Sequence, residues 1–402
     1  MVNLRAWLHI VGIGEDGLAG LTAVTRSIVE EAEIIIGGDR HHKLSNKIKA
    51  ERLSWPSPFN ALIEKLYALK GRRVVVLATG DPLWFSVGAR ISKNFKSSEL
   101  IFHPHISAFQ MASARMGWSL ADVETLTAHG RPVEQIIPFI QPNQKLIILT
   151  TGSKTPLEVA RLLNDRGFQK SEMTVFSSLG GAGEKRFDGL STEWDYEVPD
   201  FNTLMVNCIA SPGAVINSRL PGLDDSLFKN DGNMTKREIR AITLSKLMPM
   251  RGALLWDVGS GCGSVSIEWM RAVYDGRAIG IEPKLERRLI ASENALALGA
   301  PQLRLVDGMA PGALKGLEDP DAVFIGGGLT KETFDICWNA LKPFGRLVAN
   351  AVTVETEVEL SSLHNQYGGN LVRLAVNRAE PIGPRFAWRP FMPVTQWSII
   401  KR

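Results

Sequence analysis

The sequence predicts an α/β protein built as two units in tandem. Short apolar runs alternate with helix-length amphipathic stretches along the whole chain, the pattern of strands and helices packed in layers. Residues 211–233 break that rhythm with Pro212, Gly213, Pro221, Gly222, Asp224, Asp225, Asn230, Asp231 and Gly232, a composition of turns and linkers. At 402 residues the chain also exceeds one ordinary domain. The expected division is residues 1–212, a linker at 213–232, and residues 233–402.

In the first unit, residues 8–11 read as a strand, 21–32 as a helix, and 34–36 as a strand ending at Gly37-Gly38. Residues 59–69 read as a helix. Residues 73–78 form a continuous apolar run, as a parallel strand buried on both faces requires. A helix at 108–116, a buried strand at 145–149, a helix at 157–166 and strands at 173–176 and 203–206 complete the unit. In the second unit, Thr235-Lys236-Arg237-Glu238 has the spacing of a capping box, in which hydroxyl and carboxylate each bond the other residue's backbone. Ile239, Ile242 and Leu247 then share a helical face. Strands are expected from Leu254, Ala278, Leu303, Ala322, Arg346 and Leu371, with a last one at 396–400. That order suits a doubly wound, Rossmann-like sheet with an extra C-terminal hairpin.

The most informative stretch is Leu254-Leu255-Trp256-Asp257-Val258-Gly259-Ser260-Gly261-Cys262-Gly263, followed by a helix-forming segment from Ser264. A strand, a glycine loop and a helix N-terminus let a ligand approach the backbone and its free N–H groups. A second strand ends in Glu282, 282 − 259 = 23 residues after the first glycine, where an acid can accept hydrogen bonds from ribose hydroxyls. Dinucleotides and S-adenosylmethionine both fit such a loop. Asp257 favours the second, because it suits a cationic amino-acid end and would repel a pyrophosphate.

Composition narrows the function further. The net charge of +4 contains no Lys/Arg-rich block, so no nucleic-acid partner is expected, while a small polyanionic substrate is compatible. Cys208, Cys262 and Cys337 lie far apart without metal-ligand spacing, which suits a reducing, cytoplasmic setting and gives no reason to expect a metal or a disulfide scaffold. Residues 1–10 include Arg5 and His9 and do not read as a signal peptide. No apolar run is long enough for a membrane span. No nucleophile–base constellation stands out, and His41-His42 reads as a solvated pair.

The first unit adds Val11-Gly12-Ile13-Gly14, Thr79-Gly80-Asp81-Pro82, Pro104-His105-Ile106-Ser107-Ala108, Thr127-Ala128-His129-Gly130-Arg131 and Leu149-Thr150-Thr151-Gly152. Together they resemble the tetrapyrrole methylase family, in its corrin-ring C-5 methyltransferase branch. The second unit, from Thr235 through the glycine loop to Val306-Asp307-Gly308-Met309-Ala310-Pro311, resembles the decarboxylating C-15 methyltransferases of the same pathway. Glu15 and His105 depart from the family pattern, which commonly has proline and serine there.

The resemblance implies a pair of α/β subdomains followed by a class I methyltransferase, with two S-adenosylmethionine sites per chain. It places one cofactor against Gly80, Asp81, Ser107, Ala108 and Thr150, with Gly12 and Gly14 on the substrate side. It places the other on Gly259, Ser260, Gly261, Cys262 and Gly263, with Glu282 on the ribose, Asp307, Gly308 and Ala310 near the adenine, and Thr235 at the mouth. The implied substrate is a precorrin of cobalamin biosynthesis, methylated at C-5 and C-15 and decarboxylated at the ring C acetate, by a homo-oligomer. Candidate substrate contacts are His129, Arg131, Lys154, Lys236, Arg237, Arg240, Arg385 and Arg389, the last two in a segment where Phe386, Trp388 and Phe391 offer flat apolar surface. Competing readings are a methyltransferase of RNA or another polymer, and a non-catalytic tetrapyrrole binder.

Overall fold

A computed structural model of the chain describes residues 6–402; in the reading that no leader is present, residues 1–5 lie outside the described range. Two compact units form. One comprises the chain up to Val133 together with Pro142–Ala214, and the other Glu134–Gln141 together with Val215–Arg402.

The first unit holds two five-stranded sheets. One runs Glu51–Ser54, Ile34–Gly37, Val74–Thr79, Leu8–Ile13, Leu100–His103, with every pair parallel. Its strands bury both faces: Leu8, Ile10, Ile34, Ile36, Val74 and Val76 enter one core, and Val11, Ile13, Ile35, Val75 and Leu77 the other. That is why their sequences are continuous apolar runs and not alternations. Ile13 pairs with Thr79 at the carboxyl ends, so the turns at Gly14 and Gly80 leave the sheet side by side. The other sheet runs Val123–Thr127, Lys145–Leu149, Asn202–Asn207, Glu172–Ser177, Lys185–Leu190, and only its first pair is parallel. Helix Ala108–Met116 packs Phe109 and Ala112 against Ile147, Phe176 and Met205 of this sheet.

The second unit centres on seven strands in the order Arg304–Val306, Arg277–Ile281, Leu254–Val258, Ala322–Ile325, Arg346–Ala351, Val394–Ile400, Asn370–Leu374. The first five are parallel and the last two join antiparallel. This is a doubly wound, Rossmann-like sheet with apolar cores on both faces. Strands Asn377–Ile382 and Arg385–Pro390 form a separate hairpin, exposed along nearly its whole length.

Three local expectations change. The capping box does not form: the helix runs Arg237–Leu247 from an N-cap at Lys236 with no side-chain cap. Glu238 turns instead to Arg378, 2.7 Å away, because a charged partner offers more than a lone backbone N–H. The stretch 213–232 is only partly a linker. Leu223 and Phe228 are buried with Ile267, Ala295 and Leu298, and the Glu268 carboxylate accepts from the Gly222 and Leu223 N–H groups at 2.6 and 3.0 Å. Finally, residues 134–141 belong to the second unit, although they lie inside the first in sequence. There Phe139 packs on Tyr274 with ring centroids 5.6 Å apart, and the Arg219 guanidinium lies over both rings.

Candidate cofactor and substrate sites

In the second unit a cavity of about 570 Å³ opens at the carboxyl ends of the parallel strands, a size suited to a small-molecule site. The glycine loop forms its floor. Gly261, at φ +55°, has only the Asn233 carbonyl oxygen, at 3.8 Å, near the position a Cβ would take, so its open side faces the cavity. Gly259 and Gly263 serve packing: a Cβ would press on the Gly327 backbone at 3.1 Å in one case and on Ala291 at 3.1 Å in the other.

Asp257 is next to last in the central strand Leu254–Val258, beneath this loop. Its Oδ2 accepts from the Ser266 N–H at 3.1 Å and the Ser266 hydroxyl at 2.7 Å, while its Oδ1 is buried with no hydrogen-bond partner among the described residues. Burial pushes its carboxyl up to about 6, with the nearby Glu282 charge adding and the Ser266 bonds opposing. A buried acceptor without a donor fits a cationic ligand group. Glu282, also buried, accepts from the Gly261 N–H and the Lys284 N–H, both at 3.1 Å. Each of its oxygens keeps a lone pair for a hydroxyl.

The cavity brings together many of the residues singled out in sequence. Gly259, Ser260, Gly261, Cys262, Glu282, Gly308, Ala310, Thr235 and Lys236 all line it. Others lie elsewhere. Gly263 sits behind the loop, and Asp307 points outward, its side chain 72% exposed and paired with Arg288 at 2.7 Å. Arg240 is not a substrate cation. Fully buried, it bonds Glu268 at 2.6 Å, Asp225 at 3.1 Å and the Thr235 carbonyl at 2.7 Å, clamping residues 222–240 to the core. Arg237 lies 3.7 Å from Asp224. Arg385 and Arg389 are on the exposed hairpin, where Arg389 pairs with Glu380 at 2.9 Å, and Phe386 and Trp388 are exposed with them. Of that segment, Phe391 reaches the cavity wall.

Sequence reasoning missed several wall residues. Gly326, Gly327 and Gly328 line the cavity; a glycine run just after the apolar strand Ala322–Ile325 was an available signal. Arg287 and Lys284 add cations, Arg287 being held 2.6 Å from Asp231. Asn350, fixed by Thr243 at 3.2 Å and Gln396 at 2.9 Å, had no sequence signal, because its partners come from remote segments.

In the first unit a cavity of only about 30 Å³ lies beside Gly80. Gly14, Gly80 and Ala108 line it, with Glu15, Arg40, Thr79 and Phe201. Gly12 is a packing glycine: a Cβ there would sit 2.0 Å from the Gly80 carbonyl oxygen. The Ser107 hydroxyl caps its own helix, accepting from the Gln110 N–H at 3.4 Å while Gln110 accepts from the Ser107 N–H at 2.8 Å. Asp81 accepts from the Leu83 N–H at 2.7 Å. Thr150 donates to Asn202, which does line the cavity. His129, Arg131 and Lys154 are exposed and away from it. His41, expected to be solvated, is buried, and bonds Thr79 at 3.1 Å. Near Gly14, His105 lies 3.6 Å from Asp16.

Known proteins match both units. The family described as Tetrapyrrole (Corrin/Porphyrin) Methylases matches residues 7–194, and the Precorrin methyltransferase domain matches residues 226–401. A Sinorhizobium sp. protein named precorrin-6Y C(5,15)-methyltransferase [decarboxylating] is 42% identical over 398 residues, covering 98% of this chain and 96% of that protein. One of the same name from Mycobacterium tuberculosis H37Rv is 35% identical, covering 98% of this chain and 99% of that one. A solved structure, the C-terminal domain of precorrin-6Y C5,15-methyltransferase from Rhodobacter capsulatus, is 46% identical. It covers 46% of this chain and 100% of that one, with a TM-score of 0.44.

Proposed function

Because the chain belongs to the precorrin-6Y C(5,15)-methyltransferase (decarboxylating) family, we propose that its two units divide that family's work. The protein is an S-adenosylmethionine-dependent methyltransferase that also decarboxylates, acting on a precorrin in cobalamin biosynthesis. On our reading the first unit methylates C-5, the second methylates C-15 and removes the ring C acetate carboxyl, and each holds its own cofactor. The observation that carries this is the second unit's cavity, where Gly261, the Asp257 oxygen that has no partner among the described residues, and Glu282 converge.

When bound, S-adenosylmethionine supplies an electrophilic methyl group. Asp257 would hold its ammonium, Glu282 its ribose, and Gly308 and Ala310 would flank its base. The nucleophile is an electron-rich carbon of the conjugated macrocycle, so the protein contributes position and exclusion of water. Lys236, Lys284 and Arg287 stand on the cavity wall to grip substrate carboxylates. Leu374, Val376, Phe391 and Val394 give it an apolar side. There the reacting carboxylate would not be held firmly, which keeps its ground state from being over-stabilised.

The proposal includes a homo-oligomer in the cytoplasm. Its support is the hairpin, which exposes Ile382, Phe386 and Trp388 at 65%, 73% and 75%, more than an isolated two-stranded ribbon ordinarily carries. The three cysteines are buried and form no disulfide among the described residues, as a reducing compartment allows. Sedimentation of the full chain tests the assembly. Mass spectrometry of the tetrapyrrole product tests the chemistry: two methyl groups gained and one carbon dioxide lost are expected. A product with one methyl group and an intact acetate would overturn the assignment.

A further inference from the structure

Two charged residues, Glu15 and Arg40, stand among the described residues lining the first unit's small cavity. The Arg40 guanidinium bonds the Glu15 carboxylate and the Thr79 hydroxyl oxygen. It also lies over the Phe201 ring, 4.1 Å from the centroid. Neither partner is sealed in: their side chains are 28% and 18% exposed.

Thr79 is oriented from its other side. The Gly38 N–H donates to His41 Nδ1 at 3.1 Å, so Nδ1 is the acceptor and Nε2 carries the hydrogen. Nε2–H then donates to Thr79 Oγ1 at 3.1 Å. Burial, with Arg40 and His42 adding, holds the His41 imidazole down to about 4, so this neutral form persists at ordinary pH. With its oxygen accepting from both His41 and Arg40, Thr79 keeps its own hydrogen to donate. A guanidinium fork and a hydroxyl donor therefore meet beside Gly80, at the carboxyl end of a parallel strand, where open α/β sheets bind ligands. That donor set matches a carboxylate.

We propose that Arg40 and Thr79 form a receptor for a ligand carboxylate, and that Glu15 is its resident stand-in, displaced when the ligand arrives. This rests on the reading that the first unit methylates C-5. The carboxylate comes either from the amino-acid end of the cofactor or from a side chain of the macrocycle; the chemistry is the same. Exchange swaps one charge pair for another and leaves no charge unpaired, which would be costly in a half-buried site. Phe201 keeps the guanidinium in place during the exchange. Glu15 follows the strand Leu8–Ile13 by two residues, so it can turn to solvent without moving the sheet. A competitor inside the site lowers apparent affinity, and removing it raises affinity.

The test uses the full chain with Arg40→Met, Glu15→Gln and the double variant. Initial rates of C-5 methylation are measured with cofactor and tetrapyrrole varied separately, and C-15 methylation on the same chain serves as control. Binding of S-adenosylhomocysteine and of uroporphyrin is measured by calorimetry, independently of turnover. Arg40→Met should raise the KM and Kd for one ligand roughly ten- to a hundredfold. Glu15→Gln should lower the same constants several-fold, and the double variant should match Arg40→Met alone. The ligand whose constants move identifies the source of the carboxylate. If Arg40→Met fails to fold, Arg40→Lys keeps the charge without the fork and should still weaken that ligand. Changes of the same sign in both single variants, or none in either, would overturn the receptor. A wild-type chain without C-5 methylation would instead sink the functional reading, while the opposite-signed binding shifts would still decide the receptor.

Discussion

Asp257 connects chain position to pH. Its carboxyl titrates near 6 in the folded protein against 3.8 unfolded. The folded state therefore holds the extra proton between those values. Stability contributed here falls as pH rises from about 4 to about 6 and is level above. A cationic ligand group needs the carboxylate, so cofactor affinity should move the other way. We expect the second unit's dissociation constant for S-adenosylmethionine to fall about tenfold between pH 5 and pH 7, and Asp257→Asn to flatten that change. Calorimetry on the full chain and the variant decides it; an unchanged slope would remove Asp257 from the site. Glu282→Ala should weaken the same site roughly tenfold to a hundredfold and leave the first unit's cofactor binding intact. Part of that loss comes from freeing the Gly261 and Lys284 N–H groups. Equal weakening at both sites would contradict the assignment. The placement of Asp257 and Glu282 on the cavity was legible in sequence, because one is next to last in its strand and the other directly follows one, each at a fixed distance from the glycine loop. Arg240 misled because a cation's partners are not written beside it: Asp225 and Glu268 reach it from 15 and 28 residues away.

At the scale of elements, the turn after Val74–Thr79 shows what backbone proximity demands. Gly80 has φ +62°, and a Cβ there would lie 3.0 Å from the Ser107 Cα. Gly80→Val combines a β-branched residue in the left-handed region, about 1–2 kcal/mol, with loss of space in the cavity. We expect C-5 methylation to disappear while C-15 methylation and carbon dioxide release continue. Mass spectrometry showing both methyl groups would place the first site elsewhere. Strand positions were readable because burial on both faces writes itself as apolar runs. The helix start at Arg237 was misread for the opposite reason. Glu238 answers to Arg378, 140 residues on, and no local spacing carries that information. Thr79 and Glu15 were noticed only within their own motifs and Arg40 not at all, since the end of strand Val74–Thr79, the turn after Leu8–Ile13 and helix Asp39–Leu44 bring the three together.

For the whole molecule, one boundary between the two compact units lies at Ala214 and Val215, inside the stretch 211–233 where the composition breaks, and composition marks where regular structure stops. It could not mark the eight residues Glu134–Gln141, which read as ordinary loop. A fragment of residues 215–402 should fold and bind one S-adenosylmethionine, since it keeps the whole seven-stranded sheet and the cavity wall. It should also melt below the same unit in the full chain, having lost the Phe139 and Pro138 contacts. Calorimetry and thermal melts check both points, and an unfolded fragment would show that the second unit cannot fold without its segment Glu134–Gln141.

Residues 134–141 also carry a consequence for how the chain is made. Their docking surface includes Arg219, Tyr274 and Gly299, where a Cβ would come within 2.5 Å of Pro138. On the ribosome this segment emerges first, and 299 − 141 = 158 further residues must be synthesised before that surface is complete. Until then Ile136, Ile137 and Phe139 have no place to bury within their own unit. Nascent chains are therefore most vulnerable to aggregation in that interval. Slowing translation ahead of Gly299 should lower the soluble yield, and slowing it after Gly299 should not.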